Sequence, residues 1–302
     1  MKTFKIITLI AAIGLFFFSC NKEGQYSPKN KIDKIYYSET RIHEEFDGNT
    51  WVTMHTDSTY RLKEDWEWDG AKLKSISYYN SLGDLNTVEN YIYDGKRLSS
   101  IKWSDDFYCS FHYKHGKIDS INYYYGPYLM ESYVVTHTSG KISQITLNEC
   151  YGSKGMTSPY AMNVFRFLIP NANMESLNKM MSDMRNKMDT KGEASFTMQF
   201  EWSGHNIQKM TYIYDSHNSD VFELEYDNKR NPYYGLIDME EFGEKPFLSK
   251  NNITLERSGN NNQTVFTYTY DGDYPVTQSY SYTEGYGDSR NLYTTTLFFE
   301  YK

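Results

Sequence analysis

Apolar side chains recur along this chain at every second residue. Phe196-Thr-Met198-Gln-Phe200-Glu-Trp202 and Phe266-Thr-Tyr268-Thr-Tyr270 show the pattern most strictly. Successive side chains of a strand point to opposite faces, so period two predicts strands with one buried and one wet face. At Asn122-Tyr123-Tyr124-Tyr125 the alternation fails and both faces carry aromatics. Such a strand is either covered on both sides or presents tyrosines to a partner.

A longer period organises these strands. Trp66-Glu-Trp68-Asp69-Gly70, Tyr91-Ile-Tyr93-Asp94-Gly95, Phe111-His-Tyr113-Lys-His115-Gly116 and Val135-Thr-His137-Thr-Ser139-Gly140 are copies of one unit, and Phe200-Glu-Trp202-Ser-Gly204 is a later one. The first four glycines follow one another at intervals of 25, 21 and 24 residues. After each turn come apolar residues three apart: Leu73 and Ile76, Leu98 and Ile101, Ile118 and Ile121, Ile142 and Ile145, Ile207 and Met210. Asp-Gly supplies the positive φ angles of a two-residue I′ hairpin. Asp94-Gly95 is the clearest instance and His115-Gly116 is close to it. Such intervals fit two strands of about eight residues with two connections. Asn80–Asp84 and Gly126-Pro127 supply connections at the opposite end. The prediction is a mostly-β chain: one large antiparallel up-and-down meander of repeated hairpins over residues 32–302, curled or barrel-like.

One segment departs from this pattern. Met174, Leu177, Met181, Met184 and Met188 recur at spacings of three and four, which predicts an amphipathic helix near 173–190 inside an insertion of about 156–192. Asn173 suits its N-cap and Gly192 its end. Its stripe is expected to pack on an open sheet face or plug a barrel end. A Met-lined lid over an apolar ligand is the functional alternative.

The first residues carry Lys2 and Lys5, then an apolar run from Ile6 to Phe18 broken only by Thr8. That is the layout of a signal peptide over residues 1–19. A helix of this length rises only about 20 Å, short of a hydrocarbon core of roughly 30 Å. Phe17-Phe18-Ser19-Cys20 resembles the lipobox of bacterial lipoproteins, in the looser form found in Bacteroidetes. The resemblance implies diacylglycerol on Cys20, residues 20–31 as a lipidated tether, and attachment to the outer membrane, facing either the periplasm or the outside. Ordinary signal cleavage, with Cys20 an incidental thiol, is the alternative.

The repeats resemble the YD repeats of RHS-type proteins. Tyr226-Asp-Asn-Lys229-Arg-Asn231-Pro232-Tyr233, Tyr270-Asp-Gly-Asp-Tyr274-Pro275 and the ending Phe298-Phe299-Glu300-Tyr301-Lys302 are similar to a group of Bacteroidetes lipoproteins of unknown function. That likeness covers roughly residues 60 to 302 and implies a repeated antiparallel sheet with no known activity.

Charge narrows the partners. The chain holds 31 basic and 39 acidic residues; without Lys2 and Lys5 the balance is 29 to 39, a net charge near −10. Such a surface repels phosphate backbones, and nucleic acid is not expected to bind. Polar faces carrying Lys74, Lys102 and Lys114 do not suit strands that face lipid. Cys109 and Cys150 are expected as buried free thiols, because in a simple meander their strands are not neighbours; a rolled or stacked sheet that brought them together would allow a disulfide instead.

Motifs for chemistry are few. The histidines at 43, 55, 112, 115, 137, 205 and 217 fall in no metal-binding spacing, and no nucleophile elbow occurs. No cofactor, metal or catalytic residue is predicted, and an enzyme is not expected. Tyrosine reaches 30 residues, which suits sheets whose rings pack while hydroxyls reach water. The leading functional expectation is a membrane-tethered module that binds a glycan or an envelope protein through exposed aromatics. Trp66, Trp68, Tyr123, Tyr124, Tyr125 and Tyr128 are its candidate ligand surface. A structural envelope scaffold without ligand, and a hydrolase, are the other readings.

Overall fold

The computed structural model describes residues 23–150, 197–213, 218–237, 248–258 and 263–302. The helix expected near 173–190 and Cys20 lie outside these residues. In chain order come β1 (Ile32–Phe46), β2 (Trp51–Asp69), β3 (Lys72–Tyr79), β4 (Leu85–Asp94), β5 (Arg97–Lys102) and β6 (Phe107–Lys114). β7 (Lys117–Tyr125), β8 (Tyr128–Thr138), β9 (Lys141–Cys150), β10 (Thr197–Ser203), β11 (Asn206–Ile213) and β12 (Ser219–Tyr226) follow. β13 (Ile253–Ser258), β14 (Gln263–Val265), β15 (Thr267–Asp271), β16 (Tyr274–Tyr286) and β17 (Ser289–Tyr301) end the series.

These strands form one antiparallel meander in which sequence neighbours are sheet neighbours, as the hairpin period predicts. β9 passes directly to β10, with Met198 opposite Ile145, across the undescribed residues between them. β1 lies between β2 and β17 and so joins the first hairpins to the last. β14 and β15 are one strand interrupted at Phe266, whose N–H donates to Thr254 O at 2.9 Å. β14 pairs with β13, and β15 pairs with β16. The sheet is therefore a nearly closed barrel, with its ladder broken at that interruption.

The glycine turns come in two kinds. His115-Gly116 and Ser139-Gly140 have positive φ at both central residues, the I′ geometry. Asp94-Gly95 is not an I′ loop. Asp94 stays in the ladder opposite Arg97, and the loop is Gly95-Lys96 with φ of 59° at glycine only, as in a II′ turn. A II′ turn needs glycine only at its first central position, which frees the aspartate to pair as a strand residue.

A bulge explains the apolar residues three apart, which a regular strand would send to opposite faces. In β3, Leu73 faces Trp68 while Ser75 faces Glu67, leaving Lys74 as the extra residue. Ser99, Asp119, Ser143 and Gln208 occupy the same place in their hairpins. One inserted residue resets the pleat, so Leu73 and Ile76 are both buried, as are Leu98 and Ile101, Ile118 and Ile121, Ile142 and Ile145, and Ile207 and Met210. Ser99 and Ser143 each donate a hydroxyl to the carbonyl of Ile92 or Thr136 across the strand pair.

Aromatic residues two before the turn join one hairpin to the next. Trp68 Nε1 donates to Ile32 O at 2.8 Å, Tyr113 Oη to Leu98 O at 2.8 Å, and Trp202 Nε1 to Ile142 O at 2.7 Å. A basic side chain of the neighbouring hairpin or segment covers each ring: Lys31 on Trp68, Arg97 on Tyr113, Lys141 on Trp202. Lys31 and Lys141 also donate to Gly70 O and Gly204 O. Ring, cation and turn carbonyl thus lock successive repeats together.

The glycine-turn end is capped from inside the same chain. Tyr26 packs on Trp66 and Trp68 and donates to Pro232 O at 2.7 Å. Tyr233 lies between Trp66 and Phe299, and Asn231 donates to Ser249 O at 2.8 Å. Where the Gly140 hairpin has His137 in place of the ring, Glu23 fills the site. Its carboxylate meets His137 Nε2 at 2.9 Å and accepts the Ile118 N–H at 2.7 Å.

Candidate functional site

At the end away from the glycine turns, four strands outlast their neighbours. β3 pairs with β2 only over Glu64–Asp69, and β15 reaches along β16 only to Ser279. Beyond these limits β2, β1, β17 and β16 continue as a four-stranded ribbon, paired out to Phe46–Trp51 and Tyr286–Ser289. Val52 to Tyr60 are all exposed, so this part of β2 is wet on both faces.

The two faces of the ribbon differ in chemistry. Tyr37, Glu39 and Arg41 alternate on β1, opposite Leu297, Thr295 and Tyr293 of β17, and these pair in turn with Gln278, Tyr280 and Tyr282 of β16. This face continues the apolar side of the barrel. The other face is a run of hydroxyls, in which Ser279 meets Thr296 at 2.8 Å and Ser281 meets Thr294 at 2.9 Å. Tyr36, Tyr60 and Phe298 form one ring cluster there.

On the first face Tyr282 and Tyr293 stack with centroids 4.7 Å apart at 9°. Tyr280 extends the row at 6.4 Å from Tyr282. Arg41 lies over Tyr293 and donates from Nε to Asn291 Oδ1 at 3.1 Å, while His43 Nδ1 is 3.0 Å from the same oxygen. Tyr37 donates to Glu39 Oε2 at 2.5 Å and carries Arg61 over its ring at 4.6 Å. Desolvation, then the charges of Glu39 and Glu284, pushes the Tyr282 hydroxyl up to about 12, so it stays a neutral donor at physiological pH. All three ladder tyrosines are half-buried, leaving ring surface open beside an arginine, an amide and carboxylates. Half-exposed ring edges flanked by a few fixed polar groups offer both apolar contact and hydrogen-bonding partners to a ligand.

The six aromatics expected as a ligand surface do not come together. Trp66 is fully buried and donates from Nε1 to Glu64 Oε2 at 2.8 Å. Trp68 is half-buried in the capped end, and Tyr123 is buried between Trp103 and Tyr133. Trp66 and Tyr123 are core residues, and Trp68 packs against the core. Tyr124 points outward and stacks on Tyr108 at 5.0 Å. Tyr125 and Tyr128 flank the Gly126-Pro127 turn, 58% and 70% exposed, at the end opposite Trp66. Consecutive residues alternate between faces, so three tyrosines in a row divide between core and surface.

Sequence reasoning missed the ribbon site. Tyr37-Ser-Glu39-Thr-Arg41 and Tyr280-Ser-Tyr282-Thr-Glu284 do alternate, which was the available signal. What joins them is the pairing of β1 with β17, between segments some 250 residues apart.

The buried carboxylates follow one rule. Glu89 accepts from the Tyr91 hydroxyl at 2.8 Å and Glu131 from Tyr133 at 2.7 Å, each two residues on, as Glu64 does from Trp66. Glu256 lacks such a ring two residues on. Burial pushes its carboxyl up to about 8, and its Oε2 accepts no hydrogen bond among the described residues. Cys109 is a free buried thiol whose pKa burial raises well above the ordinary value. Among the described residues no group of three His, Cys, Asp or Glu is placed to hold a metal ion.

No protein-family model matches this chain, and no curated protein matches it. No family match therefore carries the resemblance to YD repeats or to lipoproteins. Among solved structures the chain is similar to a porin-like protein from Bacteroides uniformis, at 10% identity over 88% of this chain and 98% of that one, with a TM-score of 0.48. It is also similar to a porin-like protein from Bacteroides vulgatus, at 12% identity over 91% and 99%, with a TM-score of 0.42.

Proposed function

We propose that this chain is a lipid-tethered module of the outer membrane that binds extended glycans on the tyrosine face of its ribbon. The observation that carries the reading is the stacked Tyr282–Tyr293 pair beside Arg41 and Asn291. Sugar rings offer apolar C–H groups to the exposed edges of such a stack and hydroxyls to the polar groups beside it. Tethering through Cys20 is supported by the apolar run and lipobox-like residues before it. Outward positions such as Ser100, Lys102, Gln199, Glu201, Lys209 and Thr211 are polar where a spanning barrel carries an apolar belt. That composition favours membrane attachment by lipid over insertion of the strands.

A second reading, an envelope-protein partner, is favoured by the β2 edge. Val52 to Tyr60 contain no lysine or proline, the residues that commonly blunt free edges. An extended segment of a partner would add a strand there.

A glycan-array screen with the fragment beginning at Asn21 tests the first reading. The expected result is binding to a defined oligosaccharide class that Tyr282→Ala and Tyr293→Ala weaken and that Tyr125→Ala leaves intact. A blank array, with capture of an envelope protein lost on Thr56→Pro, would replace it with the second.

A further inference from the structure

We infer that the glycine-turn end of the barrel lies against lipid headgroups, with the ribbon pointing away from the membrane. This rests on the reading of Cys20 as the lipid carrier. Three peptide units separate Cys20 from Glu23, a span of at most about 10 Å. Glu23 is not a loose tether residue. Besides His137 and the Ile118 N–H, its carboxylate takes Lys117 at 3.4 Å.

The next residues fix the segment further. Gly24 O accepts the Leu98 N–H at 2.8 Å, and Gly24 sits at φ 75° against the Tyr113 hydroxyl, where a Cβ would collide. Tyr26 is buried in the capped end. Whatever holds Cys20 at a bilayer therefore holds these turns within about 10 Å of it. The opposite pole is far away. β2 alone runs 19 residues, about 60 Å along the strand.

Charge at the two ends fits this orientation. The four turns from β2 to β9 carry Lys72, Lys96, Arg97, Lys114, Lys117 and Lys141, against Asp69 and Asp94; the Gly272 turn at the same end adds Asp271 and Asp273, with Lys229 and Arg230 on Asp273. The described loops of the opposite end carry Asp47, Asp84, Asp105, Asp106 and Asp288. In a chain that is acidic overall, the basic residues of the described turns and loops gather at the end where the tether emerges. Anionic headgroups attract such residues within a Debye length and repel the acidic pole. The orientation also sets the tyrosine face of the ribbon at the greatest distance from the bilayer, open to long polymers.

The test uses the lipidated protein in phosphatidylethanolamine–phosphatidylglycerol vesicles that contain a headgroup-linked quencher. A fluorophore is attached through an azide-bearing amino acid at position 96 or at position 57. Quenching several-fold stronger at 96 than at 57 is the expected result. Equal quenching, or stronger quenching at 57, overturns the orientation. Cys20→Ala separates the two layers of the argument: it must abolish vesicle binding. Binding that survives this change overturns the anchor, and the orientation with it, while leaving glycan recognition by the ribbon to be judged on its own.

Discussion

Trp202 donates its indole N–H to the carbonyl of Ile142 at 2.7 Å, linking hairpins whose residues are 60 apart in sequence. Tyr113 makes the same bond to Leu98 across only 15 residues. The rule that joins adjacent repeats therefore also closes the sheet across the segment between β9 and β10. Trp202→Phe keeps a ring and removes the donor, and is expected to cost about 1 kcal/mol. Urea unfolding of the soluble fragment measures it, and an unchanged midpoint would count against the joining role.

Turn chemistry gives a second expectation. Gly204 begins its loop at φ 57°, a conformation that side chains rarely adopt. Gly204→Ala should destabilise by about 1 kcal/mol or more. Gly204→Asn places there a residue that visits the left-handed region more readily than Ala, and should lose less. Thermal unfolding of the pair checks the contrast.

Glu256 makes stability depend on pH. Its folded pKa of about 8 lies above the ordinary value of 4.5 because burial penalises the charged form. Between these values the folded state holds a proton that the unfolded state has released. Stability should therefore fall as pH rises from about 4.5 to 8, by at most about 1.4 kcal/mol per unit from this group, and level off above. Glu256→Gln removes that slope and should be the more stable protein at pH 8. Denaturant titrations at pH 5, 6.5 and 8 measure it, and parallel pH profiles for variant and wild type would contradict it.

The clasp at Glu23 predicts a local effect. The Ile118 amide donates to Glu23 Oε2, so Glu23→Ala should speed exchange of that amide while leaving Ile121, deeper in β7, protected. Hydrogen exchange followed residue by residue reports both. Equal exchange at Ile118 with and without the carboxylate would mean the tether does not dock.

Much of the barrel was legible in the chain. The Gly-punctuated repeat and period-two alternation predicted the meander, because turn dihedrals and pleat are local properties. The bulge was written as the spacing of Leu98 and Ile101, though its geometric meaning emerges only from the register against β4. Which face of Tyr123-Tyr124-Tyr125 is buried depends on register as well, and no local pattern sets that. The ribbon site needs β1 beside β17, a closure decided by the whole sheet. The half-buried Tyr37 and Tyr282 consequently looked like ordinary alternating strand residues.

The glycan reading meets its most direct test in isothermal titration of the soluble fragment with the best array ligand. Tyr293→Ala should weaken binding roughly 10- to 100-fold, the usual consequence of losing a central aromatic anchor. Tyr125→Ala and Tyr128→Ala, at the tip of β7 and β8, should bind as the wild type does. Undiminished affinity in Tyr293→Ala, or loss confined to the Tyr125 and Tyr128 variants, would contradict the ribbon as the binding surface.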